Sequence, residues 1–226
     1  MHPTDLDHRQ RRTTASRQGE TRIQYAGLPK RMFDILFVLL VAPFVLPVVG
    51  LLALLVRLDG GPAFYTQDRV GFGGRRFKMY KLRTMVPDAE ARLAEHLARD
   101  WRAAAEWDLT QKLSDDPRIT RIGAVLRCTS LDELPQFFNV LVGDMSIVGP
   151  RPFTLAQEAT YRATGGTAYF GLRPGLTGPW QVSDRHRSRF IDRKAHDDAY
   201  AETQSLSVDL RLIARTVTTM ISRSGR

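Results

Sequence analysis

The longest run of apolar positions in this chain carries no charge for 22 residues, from Ile35 to Val56, and only Pro43 and Pro47 interrupt it. A straight helix of that length reaches about 33 Å, enough for the roughly 30 Å hydrocarbon core of a bilayer. Both flanks are basic: Arg9, Arg11, Arg12, Arg17, Arg22, Lys30 and Arg31 come before it, and Arg57, Arg69, Arg75, Arg76, Lys78, Lys81 and Arg83 come after. The positive-inside rule then puts both flanks on the cytoplasmic side. Each proline removes a backbone donor and crowds the turn before it, so the pattern predicts a helix that enters one leaflet, bends and returns. An ordinary crossing helix stays open as the alternative, because neighbouring groups can re-satisfy what a proline frees. A cleaved signal peptide is not expected, since the apolar run exceeds the usual h-region and no small-residue cleavage pattern follows.

Beyond the apolar run the texture changes several times. Asp59-Gly60-Gly61-Pro62 is turn chemistry, and Phe64, Tyr65 and Thr66 then read as a short strand. A second turn, Gly71-Phe72-Gly73-Gly74, precedes the alternating Phe77 to Leu82, so a hairpin is predicted. From Asp88 to Lys112, Leu93, Leu97, Trp101 and Ala104 recur at helical spacing, predicting one helix or two on the surface. Clusters of Gly-Pro punctuation lie between Ser130 and Gly178. At the end of the chain Leu206, Leu210, Ile213, Val217 and Met220 recur every three or four residues beside Arg211, Arg215 and Arg223. That is an amphipathic basic helix, packed on the core or lying on a bilayer.

The expected fold is mixed α/β and irregular: a re-entrant membrane helix hairpin with amphipathic interfacial helices and short strands, lacking any doubly wound pattern. Residues 1–28 are polar and basic and are expected to form a disordered tail. Residues 29–58 form the expected re-entrant membrane helix and residues 59–226 a membrane-associated cytoplasmic domain.

Composition narrows the partners. A chain of 226 residues with 43% hydrophobic content can bury one substantial core. A net charge of +9 and a pI near 10.2 call for a polyanion, whether nucleic acid, anionic lipid or a phosphorylated substrate. The apolar run favours lipid and phosphate. Cys128 is the only cysteine, so no intrachain disulfide can form, and it reads as a small buried hydrophobe rather than a nucleophile. His2, His8, His96, His186 and His196 lack metal-ligand spacing, and no zinc site is assigned.

Candidate chemistry gathers in the middle of the chain. Ser130-Leu131-Asp132-Glu133 opens an apolar run with the Ser-x-x-Glu spacing of a capping box, which puts two carboxylates in a helix's first turn. Such placement is common for purely structural reasons. The loops alter that weighting. Gly149-Pro150-Arg151-Pro152 and Arg173-Pro174-Gly175 each present an arginine beside proline, losing little backbone entropy when the guanidinium grips a phosphate. Ion pairs that stabilise loops are the plainer account of the same arginines. A carboxylate nucleophile, a second carboxylate for a hard divalent ion and arginines for a diphosphate together suit phosphoryl transfer.

Over nearly all of residues 29 to 223 the sequence resembles the bacterial sugar transferases, the monotopic phosphoglycosyl transferases that initiate polysaccharide assembly. The likeness is carried by Lys30-Arg31-Met32-Phe33-Asp34, Phe64 to Val70, Tyr80-Lys81-Leu82-Arg83-Thr84-Met85, Asp116-Pro117-Arg118-Ile119-Thr120, Thr129 to Gln136, Asn139 to Pro152 and Arg173 to Gln181. It is nearest the exopolysaccharide-initiating galactose-phosphate or glucose-phosphate transferases. The resemblance implies transfer of hexose-1-phosphate from a UDP-sugar to undecaprenyl phosphate, with Mg²⁺, UMP release and a covalent phosphosugar-aspartate intermediate. Asp132 matches the nucleophile and Glu133 its magnesium-associated partner. Arg151 and Pro152 match the pair that contacts substrate phosphate, and Lys81 and Arg83 fall in another basic motif; Arg118 and Arg173 are further phosphate contacts. The setting implied is the cytoplasmic face of the bacterial inner membrane, with anionic lipids as partners and no nucleic acid; a homodimer is allowed. Where many members carry Ser-Pro at the helix break, this chain has Leu46-Pro47, so a serine back-bond to the preceding turn is missing. No multi-span N-terminal domain precedes the helix, and the compact form of the family is expected.

Two other readings compete. A membrane-tethered basic module would explain charge and anchor but not the carboxylate pair. An aspartyl phosphohydrolase would use the same nucleophile with water as acceptor.

Overall fold

The computed structural model describes residues 25–110, 113–183 and 189–223. Most of the basic tail, residues 1–24, and His186 lie outside the described residues. The chain begins there with one long helix, α1 (Leu28–Leu58), followed by strands β1 (Phe64–Val70) and β2 (Arg76–Leu82), which pair as a two-stranded sheet. Helices α2 (Ala89–Arg99), α3 (Trp101–Thr110), α4 (Arg121–Thr129) and α5 (Gln136–Val142) come next. Short β3 (Ser146–Val148), α6 (Glu158–Ala163), β4 (Gly175–Thr177), α7 (Arg193–Thr203) and α8 (Leu206–Arg223) complete the order. The mixed helical and strand character expected of the sequence is therefore present.

α1 is continuous through Pro43 and Pro47. At 31 residues it is about 46 Å long. Because a proline cannot donate to the carbonyl four residues back, the carbonyls of Leu39 and Pro43 lose their usual partners, which locates the weakest part of the helix. Leu36, Leu40, Phe44, Leu46, Leu51 and Leu54 all stand exposed along it. Only 6% of its most apolar window is buried, so it is not the core helix of a water-soluble domain. Exposed apolar area of that extent marks a surface for lipid or protein.

The chain divides into two compact units, and the division falls inside α1, β1 and β2. One unit comprises residues 42–67 and 78–136. Its core joins Val56, Leu82 and Leu126, flanked by Leu52, Ala53, Ile122 and Leu131. Thr120 caps α4 by accepting from Gly123 N at 3.0 Å. Gly123 has no room for a side chain, since an added Cβ would collide with the Thr84 backbone. The Ala-rich stretch breaks into α2 and α3 because Asp100 turns its carboxylate onto Arg102 N (2.8 Å) and Ala103 N (3.3 Å), as an N-cap does. Trp101, expected on the apolar face, is 74% exposed.

The other unit includes residues 68–77 and everything from Phe137 onward. β3 and β4 pair in parallel, Ser146 opposite Gly175 and Val148 opposite Thr177. An aromatic core of Phe153, Tyr161 and Tyr169 closes around Val70, with Leu155, Phe170 and Phe190 at its edge. The start of α1 is fixed by a buried ion cluster: Lys30 Nζ lies 2.9 Å from Asp34 Oδ1 and 2.7 Å from Asp209 Oδ2. Asp34 also accepts from Ser146 Oγ (3.0 Å) and Ile147 N (3.1 Å), while Asp209 accepts from Tyr25 (2.7 Å) and Tyr200 (2.7 Å). One cluster thus ties α1 to β3 and α8. α8 packs through Asp209 and Leu212, whereas Leu206, Leu210 and Val217 of the expected core stripe point outward.

Candidate active site

Three sequence expectations need correction at the carboxylate pair and its helix. Ser130 forms no capping box. It closes α4 in the left-handed conformation (φ 58°), donating its N–H to Arg127 O and Leu126 O, and makes no side-chain cap bond. An N-cap needs extended backbone angles, so the spacing misleads here. Asp132 and Glu133 instead sit on a single 3-10 turn, Leu131–Glu133, and α5 starts only at Gln136, after Pro135. Cys128, expected to be buried, is exposed on α4.

The turn's placement follows from the chain. Alternation along β2 sends Leu82 into the core with Leu126 and Val56, and Lys81 to the opposite side. Lys81 Nζ lies 2.8 Å from Glu133 Oε1 and 3.7 Å from Asp132 Oδ2. Arg127, one turn before the dyad, bonds Thr84 Oγ1 through Nε at 2.9 Å. Asp132 is only 8% exposed. Burial pushes its carboxyl above the usual carboxylate range and Glu133 pushes the same way, while Lys81 and Arg127 oppose them. The result is a poorly solvated carboxyl with the Lys81 ammonium 3.7 Å away.

The other predicted basic residues of this unit, Arg83 and Arg118, are already engaged. Arg83 is buried and gives its guanidinium to the carbonyls of Pro62 (2.7 Å), Met85 (2.9 Å), Val56 (2.9 Å) and Gly60, closing the end of α1 and the turn after it. Arg118 forms a two-pronged pair with Asp116, Nε to Oδ1 at 2.8 Å and Nη2 to Oδ2 at 2.7 Å, and lies 4.9 Å from the Trp107 ring centre. Burial acts to raise the Asp116 carboxyl, but the Arg118 bonds outweigh it and hold the group below its usual range.

In the other unit, Arg151 and Pro152 lie half-buried where β3 ends. Arg173 donates through Nε to Gly143 O at 2.9 Å and spreads over Phe72, 5.6 Å from the ring centre. The two arginine loops are laced together: Gly149 N bonds Thr177 O (2.9 Å), Gly175 N bonds Pro150 O (2.8 Å) and Ser146 N bonds Pro174 O (2.8 Å). Glycine is required at 149 and 175, because a Cβ on either would collide with the facing backbone. Thus Asp132, Glu133 and Lys81 stand together in one unit, and Arg151, Pro152 and Arg173 belong to the other.

For a divalent ion, no group of three or more His, Cys, Asp or Glu side chains is gathered among the described residues. Asp132 and Glu133 offer hard oxygens, and Mg²⁺ commonly takes only one or two carboxylates, filling its shell with water and substrate phosphate. The donor set fits such an ion. Sequence reasoning missed Arg127, whose charge bears on Asp132, and the Arg193–Asp197 pair beneath Arg151. Only the four-residue spacing of the latter on a helix could have signalled it.

Residues 25–223 match the family described as bacterial sugar transferase. The chain is 43% identical over 196 residues to the UDP-galactose-lipid carrier transferase of Erwinia amylovora, covering 87% of this chain and 41% of that protein. It is 42% identical over 192 residues to the exopolysaccharide production protein ExoY of Sinorhizobium fredii, with 84% of each covered. Against the undecaprenyl-phosphate galactose phosphotransferase of Salmonella typhimurium the identity is 42% over 196 residues, again 87% of this chain and 41% of the relative. The chain therefore spans about two fifths of the length of the two galactose-named relatives.

Proposed function

Because the chain belongs to the bacterial sugar transferase family, we propose that it transfers hexose-1-phosphate from a UDP-sugar to undecaprenyl phosphate and releases UMP, as the first step of exopolysaccharide repeat-unit assembly. The observation that carries the proposal is the buried Asp132 carboxylate beside Lys81 and Glu133. An Asp132 oxygen attacks the phosphorus that bears the sugar; the bond from that phosphorus to the bridging oxygen breaks, and UMP leaves with the electron pair. A phosphate oxygen of undecaprenyl phosphate then attacks the same phosphorus. The acyl-phosphate bond breaks, the Asp132 carboxylate is restored, and undecaprenyl-diphosphate-hexose forms.

Lys81 keeps Asp132 ionised against its burial and holds Glu133 in place. Glu133 would hold Mg²⁺, which when bound would neutralise phosphate charge that otherwise repels the Asp132 nucleophile. Arg151, with Pro152 fixing its backbone, and Arg173 serve as phosphate contacts. Arg118 is a further phosphate contact, and Arg83 holds the end of α1 and the chain just after β2.

α1 is the anchor, re-entrant from the cytoplasmic face of the bacterial inner membrane with its bend between Leu39 and Pro47. The basic residues on both flanks support that reading, as does the pair of carbonyls that Pro43 and Pro47 leave without donors. The outward Leu206, Leu210 and Val217 with Arg211 and Arg215 suit α8 to the anionic headgroup layer. Galactose and glucose are the favoured sugars. The test is a UMP-release screen of protein in nanodiscs against UDP-sugars, with undecaprenyl phosphate and Mg²⁺ present or withheld. Turnover that needs polyprenyl phosphate supports the transferase; hexose phosphate released into water would make the chain a hydrolase.

A further inference from the structure

Pro150-Arg151-Pro152-Phe153 has an unusual backbone. Two of its four residues have no N–H, so the segment is held chiefly by its carbonyls. Pro150 O accepts from Gly175 N at 2.8 Å, and Phe153 O from Val70 N at 3.1 Å. A further anchor is a side chain: Arg193 Nη2 donates to the carbonyl of Arg151 itself.

Arg193 is only 2% exposed, a costly place for a permanent charge. Its guanidinium carbon lies 5.2 Å from the ring centre of Phe153, 5.2 Å from Phe190, 5.6 Å from Trp180, 5.8 Å from Tyr169 and 6.0 Å from Tyr161. Ring faces offset part of the desolvation of a cation. The opposite charge comes from Asp197, whose Oδ2 stands 3.7 Å from Arg193 Nε and accepts from Tyr161 OH at 3.0 Å. Burial of this kind lowers the affinity of Arg193 for its proton, and Asp197 counters the effect.

A buried ion pair in an aromatic box is a poor way to gain stability, because apolar residues of similar volume commonly do as well. What such residues could not supply is a donor aimed at the Arg151 carbonyl. We infer that Arg193 is a positioning residue, which from within its box of aromatic rings and through the Arg151 carbonyl fixes the direction in which the Arg151 side chain meets substrate phosphate. The inference rests on the proposed function only for the role of Arg151; the anchoring of the loop stands apart from it.

The test uses the full chain in nanodiscs with Arg193→Lys, which keeps the charge in the box but not the planar fork, and with the charge-free pair Arg193→Met/Asp197→Asn. Hydrogen exchange at Val70 and Gly175, the amides that hold the neighbouring carbonyls, reads the loop without reference to activity. Both variants should speed exchange there about tenfold or more while leaving the Val148 and Thr177 region protected. In UMP release, Arg193→Lys should lower kcat/KM about tenfold, as losing a charge-assisted hydrogen bond does. In an Arg151→Ala background the same change should cost nothing further, because its effect passes through a side chain already gone.

Unchanged exchange in both variants overturns the inference, as does a loss that multiplies with that of Arg151→Ala. If exchange rises as expected but Arg151→Ala leaves kcat/KM untouched, Arg193 anchors the loop and Arg151 has been given the wrong part in catalysis. Absence of turnover in the unmodified chain with any UDP-sugar counts against the proposed function, while the exchange result still decides the anchoring.

Discussion

The Lys81 ammonium stands 3.7 Å from Oδ2 of Asp132, and it is the strongest of the influences that oppose the rise burial imposes on this carboxyl. Burial raises the Asp132 pKa and Lys81 lowers it, so removing the cation should raise it further. On the proposed mechanism Asp132 attacks only when ionised, so the acid limb of the rate profile moves the same way. Lys81→Met should shift that limb to higher pH, measured as UMP release between pH 5 and 8.5. A variant slowed equally at every pH would place Lys81 elsewhere in the mechanism.

Lys30 neutralises two buried carboxylates at once, Asp34 and Asp209. Lys30→Met leaves both inside without their cation, a change that typically costs about 3–5 kcal/mol. Thermal unfolding in nanodiscs should show a clear fall in Tm, partly recovered in Lys30→Met/Asp34→Asn. The cluster joins α1 to β3 and α8, so limited proteolysis should also find new cleavage around residues 204–206.

Gly149→Ala should be among the most damaging single-methyl changes in the chain, because the new Cβ would collide with the Arg173 carbonyl and force β3 away from β4. Gly171→Ala is the control, as a Cβ there meets nothing within 4 Å. Yield and Tm should collapse for the first and stay near the unmodified values for the second.

Asp197 gives a pH-dependent prediction. Burial pushes its carboxyl up to about 6, against an unfolded value of about 3.9. Its contribution to stability is therefore full below the unfolded pKa and is lost as pH rises through the folded one. The two-unit gap corresponds to about 3 kcal/mol. Asp197→Asn should flatten the dependence of Tm on pH between 4 and 7; an unaltered slope would mean that other groups dominate the window.

How far the molecule can be read from its residues varies with the physics involved. The hairpin was legible because alternation and Gly-rich turns are local signals: β1 and β2 include the predicted residues and extend them by a few positions. The long apolar helix was legible because an uncharged apolar run is also a local signal. The capping box failed because the local spacing at Ser130 gave way to the left-handed end of the preceding helix. Arg83 and Arg118 carry the same charge as Arg151 in the sequence, yet Arg83 is spent on carbonyls and Arg118 on Asp116. Which partners each arginine takes is set by tertiary packing. Arg193 and Asp197 sit in a polar stretch that suggests a solvated helix face, and only the fold encloses them in aromatic rings.

The central claim is that Asp132 becomes covalently attached to hexose phosphate, and intact mass measurement after incubation with UDP-sugar and Mg²⁺ but no lipid acceptor tests it most directly. The account predicts one hexose-phosphate adduct per chain, located on the peptide containing Asp132, matched by one equivalent of UMP, discharged by undecaprenyl phosphate and absent in Asp132→Asn. Turnover that proceeds without any adduct, or an Asp132→Asn variant that still releases UMP at the unmodified rate, would contradict it.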